Sequence, residues 1–124
     1  MALTTVEPPT LSLHLKVLIH PVEGGFFASC LETCQPASEP TLEEAVKVIT
    51  ELIDSQLLHL KRGFPLSSLL RPLPPKFYEI FESSRPYPYQ PSLSQEVSGV
   101  IGSIEYRISD EVLTNEAHRR YLSE

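Results

Sequence analysis

The chain has 124 residues, of which 41% are apolar and 21% charged, enough for one globular domain with a single core. Its formal net charge of −6 leaves no basic field for phosphate groups, so we expect no direct binding to nucleic acid. The first residues lack the basic and apolar regions of a signal peptide, and no apolar run reaches spanning length. We therefore predict a cytoplasmic protein without membrane association.

The first predicted element is a strand over residues 11–20. Its odd-numbered residues from Leu11 to Ile19 are all apolar, whereas its even-numbered residues are polar except for Leu18. This period of two is typical of a half-buried antiparallel strand. The paired glycines Gly24 and Gly25 then predict a hairpin turn, because glycine adopts the positive φ that such turns require. We expect the second strand over residues 26–33.

A long helix is predicted over residues 42–62. Residues 35–40 are too rich in proline for a central strand, although a short edge segment is possible there. Thr41 and Glu44 then form an N-terminal capping box, and apolar residues recur at helical spacing over about five turns. Gly63 marks the end of this helix, so both of its boundaries are well defined.

The second half of the chain is rich in proline. Seven of the 12 prolines fall between Pro65 and Pro91, which predicts an extended connector over residues 64–95, packed on the folded body. Within it, residues 76–82 fit either a short helix or a strand. A strand is predicted over 100–108 and a last helix over about 110–122.

Together these elements predict an α+β fold of the order β-β-(β)-α-β. We expect an antiparallel sheet of the segments 11–20, 26–33 and 100–108, with one main amphipathic helix packed on it. The whole chain, residues 1–124, is predicted to be a single domain. Its parts are a core, a connector and a C-terminal strand with a short helix, and they cover residues 11–63, 64–95 and 96–124.

The hairpin and the helix start resemble those of the HicB-like family. Its members open a hairpin with Gly-Gly-aromatic-x-Ala and begin a helix with Thr-Leu-Glu-Glu-Ala. The corresponding residues here are Gly24, Gly25, Phe26 and Ala28, followed by Thr41, Leu42, Glu43, Glu44 and Ala45. The likeness covers roughly residues 11–63. It implies a HicB-like α+β domain, similar to the partner-binding half of an antitoxin.

This resemblance also implies a function. HicB-type antitoxins neutralise a small basic ribonuclease, the HicA-like toxin, by covering its RNA surface. The DNA-binding module that many of them append is not matched, because residues 96–124 hold one strand and at most one helix. We therefore predict a non-enzymatic protein-binding module of a toxin–antitoxin system. The alternative is an orphan HicB-like adaptor or assembly protein with another partner.

The predicted partner-binding residues are mostly acidic. Carboxylates near the hairpin and the helix start would attract a basic protein and compete with phosphate for it. The simpler interpretation is a solvated surface with favourable charges at the helix N-terminus. The predicted set is Glu23, Phe27, Glu32, Glu39, Glu43 and Glu44.

No catalytic, metal or cofactor site is predicted. Cys30 and Cys34 are four residues apart, which is not the spacing of a zinc or redox motif, and we expect both to stay reduced. The four histidines are not paired at ligand spacing. A degenerate nuclease-like enzyme, with carboxylates holding a divalent metal, is the remaining alternative.

A homodimer or larger oligomer is expected from the late strand. A short sheet has free edges that a second copy can complete, and the strand over 100–108 is the obvious donor. The predicted oligomer interface consists of Val100, Ile101, Ile104 and Tyr106. Gly102 within this strand is expected to mark a bulge or a close approach of the backbone.

Overall fold

A computed structural model describes residues 13–110, apart from the side chain of Ser98. The predicted helix over 110–122 lies outside the described residues except for Asp110, as do the first two residues of the predicted strand 11–20. The elements are β1 (Leu13–Val22), β2 (Gly25–Cys30), β3 (Gln35–Glu39), α1 (Leu42–Lys61), a 3₁₀ turn (Leu66–Ser68), α2 (Pro75–Glu82), β4 (Arg85–Pro86), α3 (Gln95–Ser98) and β5 (Ile101–Ile108).

The strands form one five-stranded sheet in the order β3-β2-β1-β5-β4. Three of the four strand pairings are antiparallel, but β5 lies parallel to β1. The predicted α+β class and main helix are confirmed, whereas the prediction of a purely antiparallel sheet was wrong. The reason is that the chain after β4, over residues 87–100, returns to the end of the sheet where β1 begins, where the N–H of Leu13 bonds to the Val100 carbonyl. Ile101 therefore starts beside Leu13, and both strands run in the same direction.

The two hairpin glycines serve different purposes. Gly24 lies in the turn between β1 and β2 with φ of +83°, a conformation that glycine adopts without strain. Gly25 begins β2, and a Cβ atom there would lie 2.9 Å from the Cα atom of Pro40. The second glycine thus allows the connector between β3 and α1 to pass close to the hairpin.

Both ends of α1 are fixed by local hydrogen bonds. The Thr41 hydroxyl accepts the backbone N–H of Glu44 and donates to the Glu44 carboxylate, each at 3.2 Å. At the other end, Gly63 adopts φ of +99° and its N–H bonds to the carbonyl of Leu60. The N–H of Phe64 bonds to the carbonyl of His59, which completes a Schellman motif. The predicted helix 42–62 is confirmed to within one residue.

We expect Thr41→Ala to lower the free energy of unfolding by about 1 kcal/mol, because the amide of Glu44 loses its acceptor. Thr41→Ser is the matched control, since it keeps the hydroxyl, and it should remain within about 0.5 kcal/mol of the wild type. Urea denaturation followed by circular dichroism measures both changes. Equal losses in the two variants would show that the hydroxyl does not cap α1.

The sheet carries a core on each of its two faces. On one face, Val17 and Ile19 of β1 pack with Ala28 and Cys30 of β2 against the buried side of α1. On the other face, a second cluster brings β1 and β2 together with α2 and the residues before it. Its buried members are Leu18, Phe27, Leu31, Leu73, Phe77 and Phe81. The apolar Leu18 on the otherwise polar side of β1 is explained by this cluster, as is the burial of His20 on the same side.

Residues 64–95 run over the folded body and contact it repeatedly. The N–H of Arg71 bonds to the carbonyl of Glu32 and the N–H of Leu73 to that of Leu31, each within 2.9 Å. These bonds hold the chain across the second face just before α2. Further on, the Asp54 carboxylate accepts both the backbone N–H and the hydroxyl of Ser94, which fixes the chain to α1. Residues 76–82, which fitted either element, belong to a helix.

Candidate functional site

Four of the predicted partner-binding carboxylates lie at one end of the molecule. Glu23 is in the β1–β2 turn, and Glu39 ends β3 directly opposite Phe26 at the start of β2. Glu43 and Glu44 lie in the first turn of α1, which begins just beyond that point. We call this group the acidic end. Of its four side chains Glu39 is half-buried and the other three are exposed.

The helix and the strands explain this grouping. Because β3 runs towards the hairpin and α1 starts three residues after its end, the chain brings three elements to the same place. The Glu44 carboxylate accepts a hydrogen bond from the Thr41 hydroxyl, so one of its oxygen atoms is engaged in the helix cap. Within residues 13–110, neither Glu39 nor Glu43 makes an ion pair. These two carboxylates are available to an incoming cation.

Glu32 lies away from the acidic end and is engaged in the fold. Its Oε1 atom accepts the backbone N–H of Lys16 at 2.7 Å, and its Oε2 atom lies 3.6 Å from Lys16 Nζ. Its side chain is only 18% exposed. The carboxylate thus secures the turn after β2 to β1, and its charge is largely balanced by Lys16.

Phe27, the other predicted contact outside the acidic end, is a core residue. It is 1% exposed and belongs to the cluster that α2 covers on the second face of the sheet. This burial was not predicted, because residues 76–82 fitted either a helix or a strand and no second core was expected on that face of the sheet. A partner can reach this side chain only if α2 leaves the sheet.

Two groups near Glu32, the Cys30 thiol and the Tyr78 hydroxyl, have pKa values that are raised by burial. Burial raises the pKa of the Cys30 thiol to about 11, and the Glu32 charge acts in the same direction. Burial also raises the pKa of Tyr78 to about 12, with Glu32 contributing again. At neutral pH Cys30 is therefore a protonated thiol inside the core, which is the opposite of an activated nucleophile. Cys34 is half-buried and packs beside the second cluster.

The predicted oligomer residues have different environments. Tyr106 is 3% exposed, and its hydroxyl lies 2.7 Å from that of Thr50 on α1. Burial raises its pKa to about 12. Val100, Ile101 and Ile104 are half-buried at the margin of the α1-side core. Tyr106 is thus a core residue, whereas Ile101 and Ile104 of β5 and Val100 just before it are only partly buried.

A small cavity that was not predicted lies at the C-terminal end of α1. Its volume is about 120 Å³, below the 300 Å³ or more that is usual for cofactor and drug-sized ligands. The ring of Phe64, 57% exposed, lies 5.5 Å from that of His59 at its mouth. The signal for it was the Gly63-Phe64-Pro65 sequence, which turns the chain beneath the helix end. The lining residues are Gln56, His59, Leu60, Phe64, Pro65, Ser68 and Leu69.

Between residues 13 and 110, no three side chains of His, Cys, Asp or Glu are grouped so that they could hold a metal ion. No helix in that part of the chain is both long and apolar enough to cross a membrane.

Comparisons with models of protein families, with curated proteins and with solved structures found no match to this chain.

Proposed function

We propose that this chain is a non-enzymatic binding module that masks a small basic protein, in the manner of the HicB-type antitoxins that it resembles. The observation that supports this proposal is the acidic end, where Glu23, Glu39, Glu43 and Glu44 lie together. A net charge of −6 adds a long-range attraction for a basic partner.

The carboxylates of the acidic end suit a basic partner that binds the phosphate groups of RNA when it is free. Lysine and arginine side chains that contact RNA can instead contact carboxylates, and the two ligands then compete for the same surface. Glu39 and Glu43 bear unpaired charges within residues 13–110, so binding a cation there breaks no existing ion pair. The edge strand β3 ends at the same place and adds backbone groups beside these charges.

The test is a charge reversal with a matched control. The tagged full-length chain is used to recover its partner from native extract, and the purified partner is then titrated by calorimetry. We expect the double variant Glu39→Lys/Glu43→Lys to bind at least about 10-fold more weakly, with less dependence on salt. The control Glu51→Lys/Glu79→Lys makes the same charge change at exposed sites on α1 and α2 and should bind as the wild type does.

Three outcomes would contradict the proposal. Equal weakening by the two double variants would show that only net charge matters. A partner that is acidic or neutral would favour the alternative of an orphan HicB-like adaptor. A rise in melting temperature on adding magnesium or manganese, lost in Glu39→Lys/Glu43→Lys, would favour the nuclease-like alternative, because a bound metal stabilises the folded state.

A further inference from the structure

The strand β3 lies at one margin of the sheet and has a free outer side. Within residues 13–110, no strand pairs with this side. On its inner side, β3 pairs with β2 residue by residue, from Phe26 opposite Glu39 to Cys30 opposite Gln35, without a shift in register. The direction of each backbone group in β3 can therefore be followed from the neighbouring strands.

The backbone directions in β1 give the starting point. The N–H of Leu31 bonds to the carbonyl of Lys16, whereas the N–H of Ser109 bonds to the carbonyl of Ile19. Backbone groups alternate in direction along a strand, so the even-numbered residues of β1 face β2 and the odd-numbered residues face β5. Because β1 and β2 pair in a regular antiparallel register, the odd-numbered residues of β2 face β1. The even-numbered residues of β2 consequently face β3.

Pro36 and Ser38 therefore direct their backbone groups away from the sheet. The even-numbered residues of β2 lie opposite the odd-numbered residues of β3, which take the hydrogen bonds between these two strands. A proline at position 36 agrees with this assignment, because proline has no N–H and is found on edge strands where that group would face solvent. We call the outward backbone of Pro36 and Ser38 the β3 edge.

The β3 edge is rich in acceptors and poor in donors. It presents the carbonyls of Pro36 and Ser38 but only the N–H of Ser38, and Pro40, directly after the strand, has no N–H either. A pairing strand, including β3 of a second copy, needs donors and acceptors in alternation. The prolines thus disfavour the addition of a strand at this edge.

Negative charge lies beside these carbonyls. Glu39 follows Ser38 directly and is half-buried, while Glu43 is exposed in the first turn of α1. Neither carboxylate makes an ion pair within residues 13–110. Pro36 and Ser38 are themselves exposed, so a partner can approach the strand from outside. The margin of the sheet therefore combines carbonyl and carboxylate acceptors on one accessible surface.

We propose that the β3 edge and Glu39 bind arginine side chains of the basic partner, in preference to lysine side chains or a β-strand. This proposal rests on the proposed function and specifies the chemistry of the partner. A guanidinium group has several N–H donors and no acceptor, which matches an edge of this composition. Its planar fork can donate to a carbonyl and a carboxylate at the same time, whereas an ammonium group is a compact point charge.

Two peptides of equal charge test this preference. One contains three Gly-Arg repeats and the other three Gly-Lys repeats. Each is titrated into the full-length chain at low ionic strength, and the amide shifts in NMR spectra report both the affinity and the position of binding. We expect the arginine peptide to bind at least about 3-fold more tightly than the lysine peptide, with the largest shifts at Ser38, Glu39 and Glu43.

Two substitutions separate the recognition of side chains from the pairing of strands. Ser38→Pro removes the last outward N–H but no bond to β2, so the arginine peptide should bind within about 2-fold of its wild-type affinity, whereas a paired strand would be lost. Glu39→Gln removes a charge and should weaken the arginine peptide at least about 5-fold. Glu51→Gln, the matched control at an exposed site on α1, should have no effect. Circular dichroism shows whether each variant folds.

Hydrogen exchange of the Ser38 amide in the free wild-type chain gives a second measurement, which does not require any variant to fold. This amide should exchange rapidly at every protein concentration, because its N–H has no backbone acceptor within residues 13–110. Protection that rises with concentration would mean that a second copy occupies the β3 edge. Protection at all concentrations would mean that another segment of the same chain covers it. Either result would overturn the proposal.

Two further results would also overturn it: equal affinities of the two peptides, or loss of the arginine peptide in a folded Ser38→Pro variant. Equal affinities together with a recovered basic partner would refute only the preference for arginine and leave the proposed function standing. The absence of a basic partner, together with tight binding of the arginine peptide at Ser38, would refute the proposed function alone.

Discussion

We expect Phe27→Ala to lower the free energy of unfolding by about 3 to 5 kcal/mol, as is usual when a buried phenylalanine is truncated in a core. Phe27 is 1% exposed and lies among Leu18, Phe77 and Phe81, between the sheet and α2. Removing its ring leaves a cavity that these neighbours fill only in part. Urea denaturation followed by circular dichroism measures the loss.

Phe64→Ala is the matched control for this substitution. Phe64 is 57% exposed, so its truncation removes little buried surface and should cost no more than about 1 kcal/mol. Similar small losses in both variants would show that α2 does not cover the second face of the sheet. These two variants also separate an effect on folding from an effect on binding. Phe27→Ala should weaken the binding of a partner only to the extent that it unfolds the chain.

Stability at alkaline pH is the second large effect that we expect. Burial raises the pKa of the Cys30 thiol from 9.0 to about 11. Below pH 9 the thiol is protonated in both the folded and the unfolded chain. Between pH 9 and pH 11 the unfolded chain releases this proton while the folded chain retains it, so unfolding is favoured. We expect the free energy of unfolding to fall by about 2 to 3 kcal/mol across this window because of Cys30.

Other variants assign this pH dependence to particular residues. Cys30→Ala should show a flatter dependence between pH 9 and pH 11, although it loses about 1 kcal/mol at neutral pH through the smaller side chain. Burial raises the pKa of Tyr106 from 10.0 to about 12, so this residue also lowers the free energy of unfolding as the pH rises between these values. Tyr106→Phe should remove this contribution. A Cys30→Ala profile as steep as the wild type would contradict this assignment. All samples contain reductant.

The local signals in the sequence predicted α1 and the hairpin correctly. Thr41 and Gly63 act within one turn of the helix, so their effects do not depend on the rest of the fold. The positive φ of Gly24 is equally local. The short strand β3 was left as a possibility because Pro36 disfavours a strand, yet an edge strand tolerates a proline.

The topology of the sheet could not be predicted in the same way. A period of two along β5 is the same for parallel and antiparallel neighbours, so residues 100–108 could not show which applies. The second core was also missed, because α2 is short and lies in a proline-rich stretch. Leu18 was its one visible sign, an apolar residue on the polar side of β1.

The candidate sites followed the same division between local and distant signals. Glu39, Glu43 and Glu44 are close in sequence and were predicted to lie together, which the structure shows. Glu32 was grouped with them, but β2 carries it to the opposite end of the hairpin.

Helices cover the middle of β1 and β2 on both faces of the sheet. In the described part of the chain, the backbone of the sheet is therefore accessible to another macromolecule only along its rim. The outer strand β3, with Ser38 near its middle, forms part of this rim. Substitutions of exposed residues there would leave the packing of both cores unchanged. The scaffold and its specificity are thereby able to evolve separately.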